Sequence, residues 1–88
     1  MFVIITYDIT DMKRLNRTRK LLRKYLEWTQ NSVFEGEITE SNLKKCLNEL
    51  NQVICKNEDS IYLYKVKNIN NIKKELVGIE KVTYDIFL

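Results

Sequence analysis

Residues 2–9, Phe-Val-Ile-Ile-Thr-Tyr-Asp-Ile, are rich in β-branched and aromatic side chains and read as a strand. Side chains two apart share a face of a strand. Phe2, Ile4 and Thr6 therefore lead to Asp8 on one side, and Val3, Ile5, Tyr7 and Ile9 lie on the other. Both faces are apolar, so the second face calls for a cover as well as the first. Asp8 breaks the pattern. An uncompensated buried carboxylate is costly, so this acid stands at the strand end as a helix cap, as an acceptor for turn amides, or as a ligand.

A helix over about 12–26 follows, with Thr10 or Asp11 able to cap it. Leu15, Thr18, Leu21, Leu22, Tyr25 and Leu26 form its apolar arc, and Lys13, Arg17, Lys20 and Lys24 fall on the opposite side. From Lys13 to Lys24 there are seven basic residues and no acid. Helices that simply face water usually mix signs, whereas Lys13/Arg17 and Lys20/Lys24 are like-charge pairs that a polyanion would relieve. Lys13, Arg14, Arg17, Lys20 and Lys24 are thus the expected nucleic-acid contacts. Backbone phosphate is the expected target, bound without regard to sequence and sensitive to salt.

Trp-Thr-Gln-Asn-Ser-Val-Phe-Glu-Gly-Glu-Ile at 28–38 is strand-like, and Asn31-Ser32 turns it into a short hairpin rather than one bent strand. Thr39 caps a second helix over about 40–55, with Leu43, Cys46, Leu47, Leu50, Val53 and Ile54 at helical spacing. After a turn at 56–59, residues 60–66 form another strand. A short helical segment runs on to Gly78 as its C-cap, and 82–88 form a last strand. Tyr62 and Tyr64, on a face with Val66, read as core or dimer contacts rather than base-stacking platforms. Glu35 and Glu37 read as solvent-facing charges.

The order βαββαβ plus a terminal strand is the ferredoxin-like arrangement of an α+β fold, with both helices on one face of an antiparallel sheet. One domain over 1–88 is expected. Two long helices cover one face only. A second copy is the natural cover for the other, which predicts a homodimer.

No apolar run approaches the roughly 18 residues of a membrane span, and Asp8 and Asp11 interrupt the first one, so no membrane association and a cytoplasmic location are expected. Cys46 and Cys55 are nine positions apart, without metal-ligand spacing or a Cys-x-x-Cys pair, and read as reduced thiols. The chain has no histidine, which excludes a histidine general base.

The strand ending Tyr7-Asp8-Ile9, the basic helix, and the run from Gln30 to Thr39 containing Gln-x-Ser-Val-Phe-Glu-Gly together resemble a known family. It is the small CRISPR-associated protein that works with the CRISPR integrase in spacer acquisition and is also described as a metal-dependent endonuclease. The resemblance spans nearly the whole chain. It implies a homodimer whose C-terminal strands, here 82–88, cross to the partner's sheet. It also implies cleavage of RNA or DNA phosphodiesters with Mg²⁺ or Mn²⁺, and a bridging role between integrase dimers holding DNA. Asp8 matches the family's acidic metal position, while Tyr7, Arg17 and Phe34 match catalytic positions around a cleft. Some members carry an arginine two residues before the glutamine, where this chain has Trp28. Arg14 or Arg19 is left as a substitute phosphate contact.

A two-fold axis beside the uncovered face would bring Asp8 of each protomer towards its mate, a pair favourable only with a cation or proton between them. Three functions compete on these residues: a dimeric Mg²⁺-dependent endonuclease, a non-catalytic DNA-binding scaffold between integrase subunits, and a monomeric RNA-binding module with an open sheet.

Overall fold

The computed structural model describes residues 1–80. Its elements are β1 (Phe2–Asp8), α1 (Met12–Leu22), β2 (Glu27–Gln30), β3 (Val33–Glu37), α2 (Glu40–Val53) and β4 (Ser60–Val66), followed by one 3₁₀ turn at Ile69–Asn71. The strands form one sheet in the order β2-β3-β1-β4, with antiparallel neighbours throughout. This is the expected ferredoxin-like α+β fold, and the 28–38 segment is the expected hairpin. The strand expected at 82–88 lies outside the described residues.

β1 is central, and its two registers separate as its sequence requires. Val3, Ile5 and Tyr7 are buried beneath the helices with Phe34, Leu22, Leu43, Cys46 and Leu50. Phe2, Ile4 and Thr6 point to the other side, where the β1–β4 register sets them opposite Val66, Tyr64 and Tyr62. Residues paired across strands share a face. The uncovered side therefore carries two aromatic rings, exposed by 62% at Tyr62 and 53% at Tyr64. Tyr62 and Tyr64 are not core residues in the single chain.

Asp11 caps α1 by accepting from the Arg14 amide at 2.9 Å, and Thr39 caps α2 by accepting from the Asn42 amide at 3.1 Å. α1 ends at Leu22, short of the expected residue 26. No glycine or proline marks that end; tertiary packing sets it. The amides of Lys24 and Tyr25 bond to the carbonyls of Leu21 and Leu22, tightening the chain so that Leu26 drops into the core and β2 begins at Glu27. Gly36, paired with Val3, holds φ +157, a conformation L side chains rarely adopt.

The helical segment expected up to Gly78 is reduced to the 3₁₀ turn. Asn68 accepts from the Asn70 amide through its side chain at 2.9 Å, a local bond that competes with helix propagation. Gly78 has φ +106 but terminates no helix.

Candidate functional site

Asp8 ends β1 on the uncovered side, exposed, opposite Ser60 of β4. Asp11, not Asp8, caps α1, so the cap explanation for Asp8 fails on geometry. Among the described residues the Asp8 carboxylate makes no hydrogen bond or ion pair, and no three His, Cys, Asp or Glu side chains converge. One protomer therefore offers a single carboxylate at the mouth of its sheet, beside a serine hydroxyl.

Tyr7 and Phe34, placed around a cleft by the resemblance, point the other way. They are 4% and 0% exposed, with ring centroids 6.1 Å apart on the helix side. The Tyr7 hydroxyl donates to the Asn31 carbonyl at 3.2 Å and the Tyr7 amide to the Ser32 carbonyl at 3.1 Å. Tyr7 thus ties the β2–β3 turn to the end of β1 from the core side and positions the backbone that carries Asp8.

The basic residues divide into neutralised and free groups. Arg14, expected as a phosphate contact, is already ion-paired: its guanidinium reaches Asp59 at 2.8 Å and 3.2 Å, and Glu58 at 3.4 Å. The hydrogen bond to Asp59 holds Arg14 charged well above its ordinary range. The same bond, with one from the Cys55 amide, holds the Asp59 carboxyl below the usual carboxylate range. Lys24 lies beyond α1 and pairs with Glu49 at 3.1 Å. Glu49 also accepts from the Tyr25 hydroxyl at 2.8 Å, and these bonds lower its pKa while the tyrosine's rises. Lys13, Arg17 and Lys20 remain exposed, without an acidic partner among the described residues.

Glu35 and Glu37 are not free charges. Glu35 pairs with Lys74, and Glu37 accepts from the N-terminal ammonium at 2.9 Å. Cys46 is buried and Cys55 partly so, both as free thiols; burial pushes the Cys46 thiol up to about 11, which keeps it protonated and inert.

Sequence reasoning named Arg19 and Trp28 separately but passed over the cluster they form with Arg23. The Cζ atoms of Arg19 and Arg23 each lie 5.2 Å from the Trp28 ring centroid. The indole stacks towards Phe34 at 6.4 Å and donates to the Asn31 carbonyl at 3.1 Å. Arg19 also donates to the Tyr7 hydroxyl at 3.4 Å. The i,i+4 spacing of the two arginines was the available signal, because it puts both on one stripe of α1.

Fold and site together define a small ferredoxin-like α+β protein with an acid at the end of its central strand and a partly unneutralised basic helix. The family model for CRISPR associated protein Cas2 matches residues 1–74, and the chain belongs to that family. Its relatives include a CRISPR-associated endoribonuclease Cas2 of Thermodesulfovibrio yellowstonii, 54% identical over 91% of this chain and 90% of that protein. Another, from Archaeoglobus fulgidus, is 40% identical over 92% of this chain and 87% of its own length. The fold matches the Streptococcus pyogenes Cas2 crystal structure with a TM-score of 0.80 and 32% identity, over 89% of this chain and all of that one. Among the described residues, no helix is long and apolar enough to cross a membrane.

Proposed function

We propose that this chain is a Mg²⁺- or Mn²⁺-dependent endonuclease of RNA or DNA, working as a homodimer in a CRISPR system, with Asp8 as its metal ligand. The observation that carries the reading is the exposed Asp8 carboxylate on the uncovered sheet face, without a protein partner among the described residues. The names of the relatives, CRISPR-associated endoribonuclease, support the reaction class.

The donor set fits such a cation. Mg²⁺ prefers oxygen ligands, keeps several waters and needs only one or two carboxylates besides substrate phosphate. Asp8 and the neighbouring Ser60 hydroxyl are oxygen donors, and a second copy would add its own Asp8. When bound, the cation supplies phosphate binding, water activation and charge stabilisation in phosphodiester hydrolysis. Asp8 would hold it. Lys13, Arg17 and Lys20 would hold the nucleic-acid backbone by charge. Tyr7 and Phe34 fix the strand end from the core side.

Dimerisation follows from the same face. Phe2, Ile4, Thr6, Tyr62, Tyr64 and Val66 present an apolar, aromatic surface that another copy would cover, bringing the Asp8 pair to the axis. The second reading keeps this dimer as a non-catalytic DNA-binding scaffold between CRISPR integrase subunits. The Arg14–Asp59 pair favours it, because it commits to an internal ion pair one of the two arginines that could substitute for the family arginine replaced here by Trp28.

Incubating wild-type protein and Asp8→Asn with RNA and DNA, in Mg²⁺ and in EDTA, decides between them. Cleavage only by wild type with the cation is the expected result. Equal cleavage by both proteins contradicts the role of Asp8. No cleavage by folded wild type, with tight binding to an integrase subunit, selects the scaffold.

A further inference from the structure

We propose that Arg19 and Arg23, held against Trp28, form a phosphate-binding pair that grips a nucleic-acid strand at the β2 edge. The proposal deepens the reading of this chain as a nucleic-acid-handling protein, but it does not depend on Asp8, a cation or cleavage.

Three observations meet at this cluster. First, both guanidinium carbons sit 5.2 Å from one indole centroid, within the range of cation–π attraction. A ring face orients a guanidinium while leaving N–H groups at its rim for planar hydrogen bonding to phosphate oxygens. Second, neither arginine makes an ion pair among the described residues, although Glu27 follows Arg23 by only four positions. Arg14 and Lys24 on the same basic segment are both neutralised. Two cations are thus brought to one ring without a counter-ion among the described residues, an arrangement that an anion would relieve.

Third, the helix dipole accounts for only part of the arrangement. Arg19 and Lys20 occupy the last turn of α1 and Arg23 is its C-cap, where positive charge is favoured. That preference does not require an aromatic platform. The platform is itself anchored, with the indole N–H on the Asn31 carbonyl at 3.1 Å and the ring against buried Phe34. Arg19 is further fixed by its hydrogen bond to Tyr7, whereas Arg23 is exposed and makes no side-chain hydrogen bond or ion pair among the described residues. Arg19 is the rigid member of the pair, and Arg23 the adaptable one.

The test is binding of a short labelled single-stranded RNA in EDTA, so that a failure of the cleavage reading leaves it unaffected. The full chain is compared with Arg23→Gln, Trp28→Phe, Trp28→Ala and the charge-matched control Lys44→Gln on α2. Arg23→Gln is expected to weaken binding several-fold and to reduce the slope of log affinity against log salt by about 0.7, the loss of one single-strand phosphate contact. Trp28→Phe should bind nearly as wild type, and Trp28→Ala should weaken binding with both arginines still present. Arg23 is exposed and makes no side-chain hydrogen bond or ion pair among the described residues, so its variant is not expected to perturb folding. Unchanged affinity and slope in Arg23→Gln, or a loss no larger than that of Lys44→Gln, overturns the site. A folded Trp28→Ala that binds as tightly as wild type overturns the role of the indole.

Discussion

Arg14 reaches from the first turn of α1 to Asp59, just ahead of β4, placing Nε 2.8 Å from one carboxylate oxygen and Nη2 3.2 Å from the other. The Asp59 side chain is fully buried and also accepts from the Cys55 amide at 2.8 Å. A two-point contact of this kind suits the planar guanidinium and is beyond a lysine. It clamps the start of the basic helix to the loop between α2 and β4.

Arg14 should therefore matter for stability and little for nucleic acid. Arg14→Gln strands a buried carboxylate and lowers the urea midpoint, while its RNA affinity falls less than that of Arg17→Gln. Removing both partners, in Arg14→Gln with Asp59→Asn, should recover part of the lost stability. Urea melts combined with salt-dependent binding measure both effects in the same proteins.

The same pair sets an acid limit. Asp59 titrates below its unfolded range, near 3.9, so its contribution is fully present above that pH and is lost as pH falls through the folded value. In that window the unfolded chain binds the extra proton and stability rises with pH. Glu49, depressed by the Tyr25 hydroxyl and then by Lys24, adds a slope of the same sign. Urea midpoints taken from about pH 5 down to about pH 2 should fall steeply for wild type and less steeply for Asp59→Asn.

Phe34 separates packing from chemistry. Phe34→Ala should lose about 3–5 kcal/mol, as large buried aromatics do on truncation. Phe34→Leu should lose less, and its activity per folded molecule should stay near wild type. A folded Phe34→Leu with a collapsed kcat would instead put this ring at the substrate.

Element order through β4, the Thr39 cap and the split of β1 into a covered and an uncovered face were legible because each rests on local periodicity or capping chemistry. The identity of Asp11 as the cap, between Thr10 and Asp11, needed coordinates. So did the end of α1, since the basic pattern runs through Leu22 without a break and the stop comes from Leu26 returning to the core. Asp8 was legible as an acid closing an apolar strand, and its exposure at the strand end agrees with that position. Tyr7 and Phe34 carry the motif that identifies the chain, yet they face the core. Their spacing already put Tyr7 in the register of Val3 and Ile5. The fates of Arg14 and Lys24 depend on Asp59 and Glu49, 45 and 25 residues away, contacts that no helical wheel contains.

In the proposed dimer, Asp8 becomes a metal ligand through pairing of two chains. Mn²⁺ titration followed by electron paramagnetic resonance, on protein of independently measured oligomeric state, tests it most directly. One tightly held Mn²⁺ per two chains, lost in Asp8→Asn while the dimer persists, is the predicted result. Equal Mn²⁺ binding by Asp8→Asn, or a monomer that binds one Mn²⁺ per chain, would contradict it.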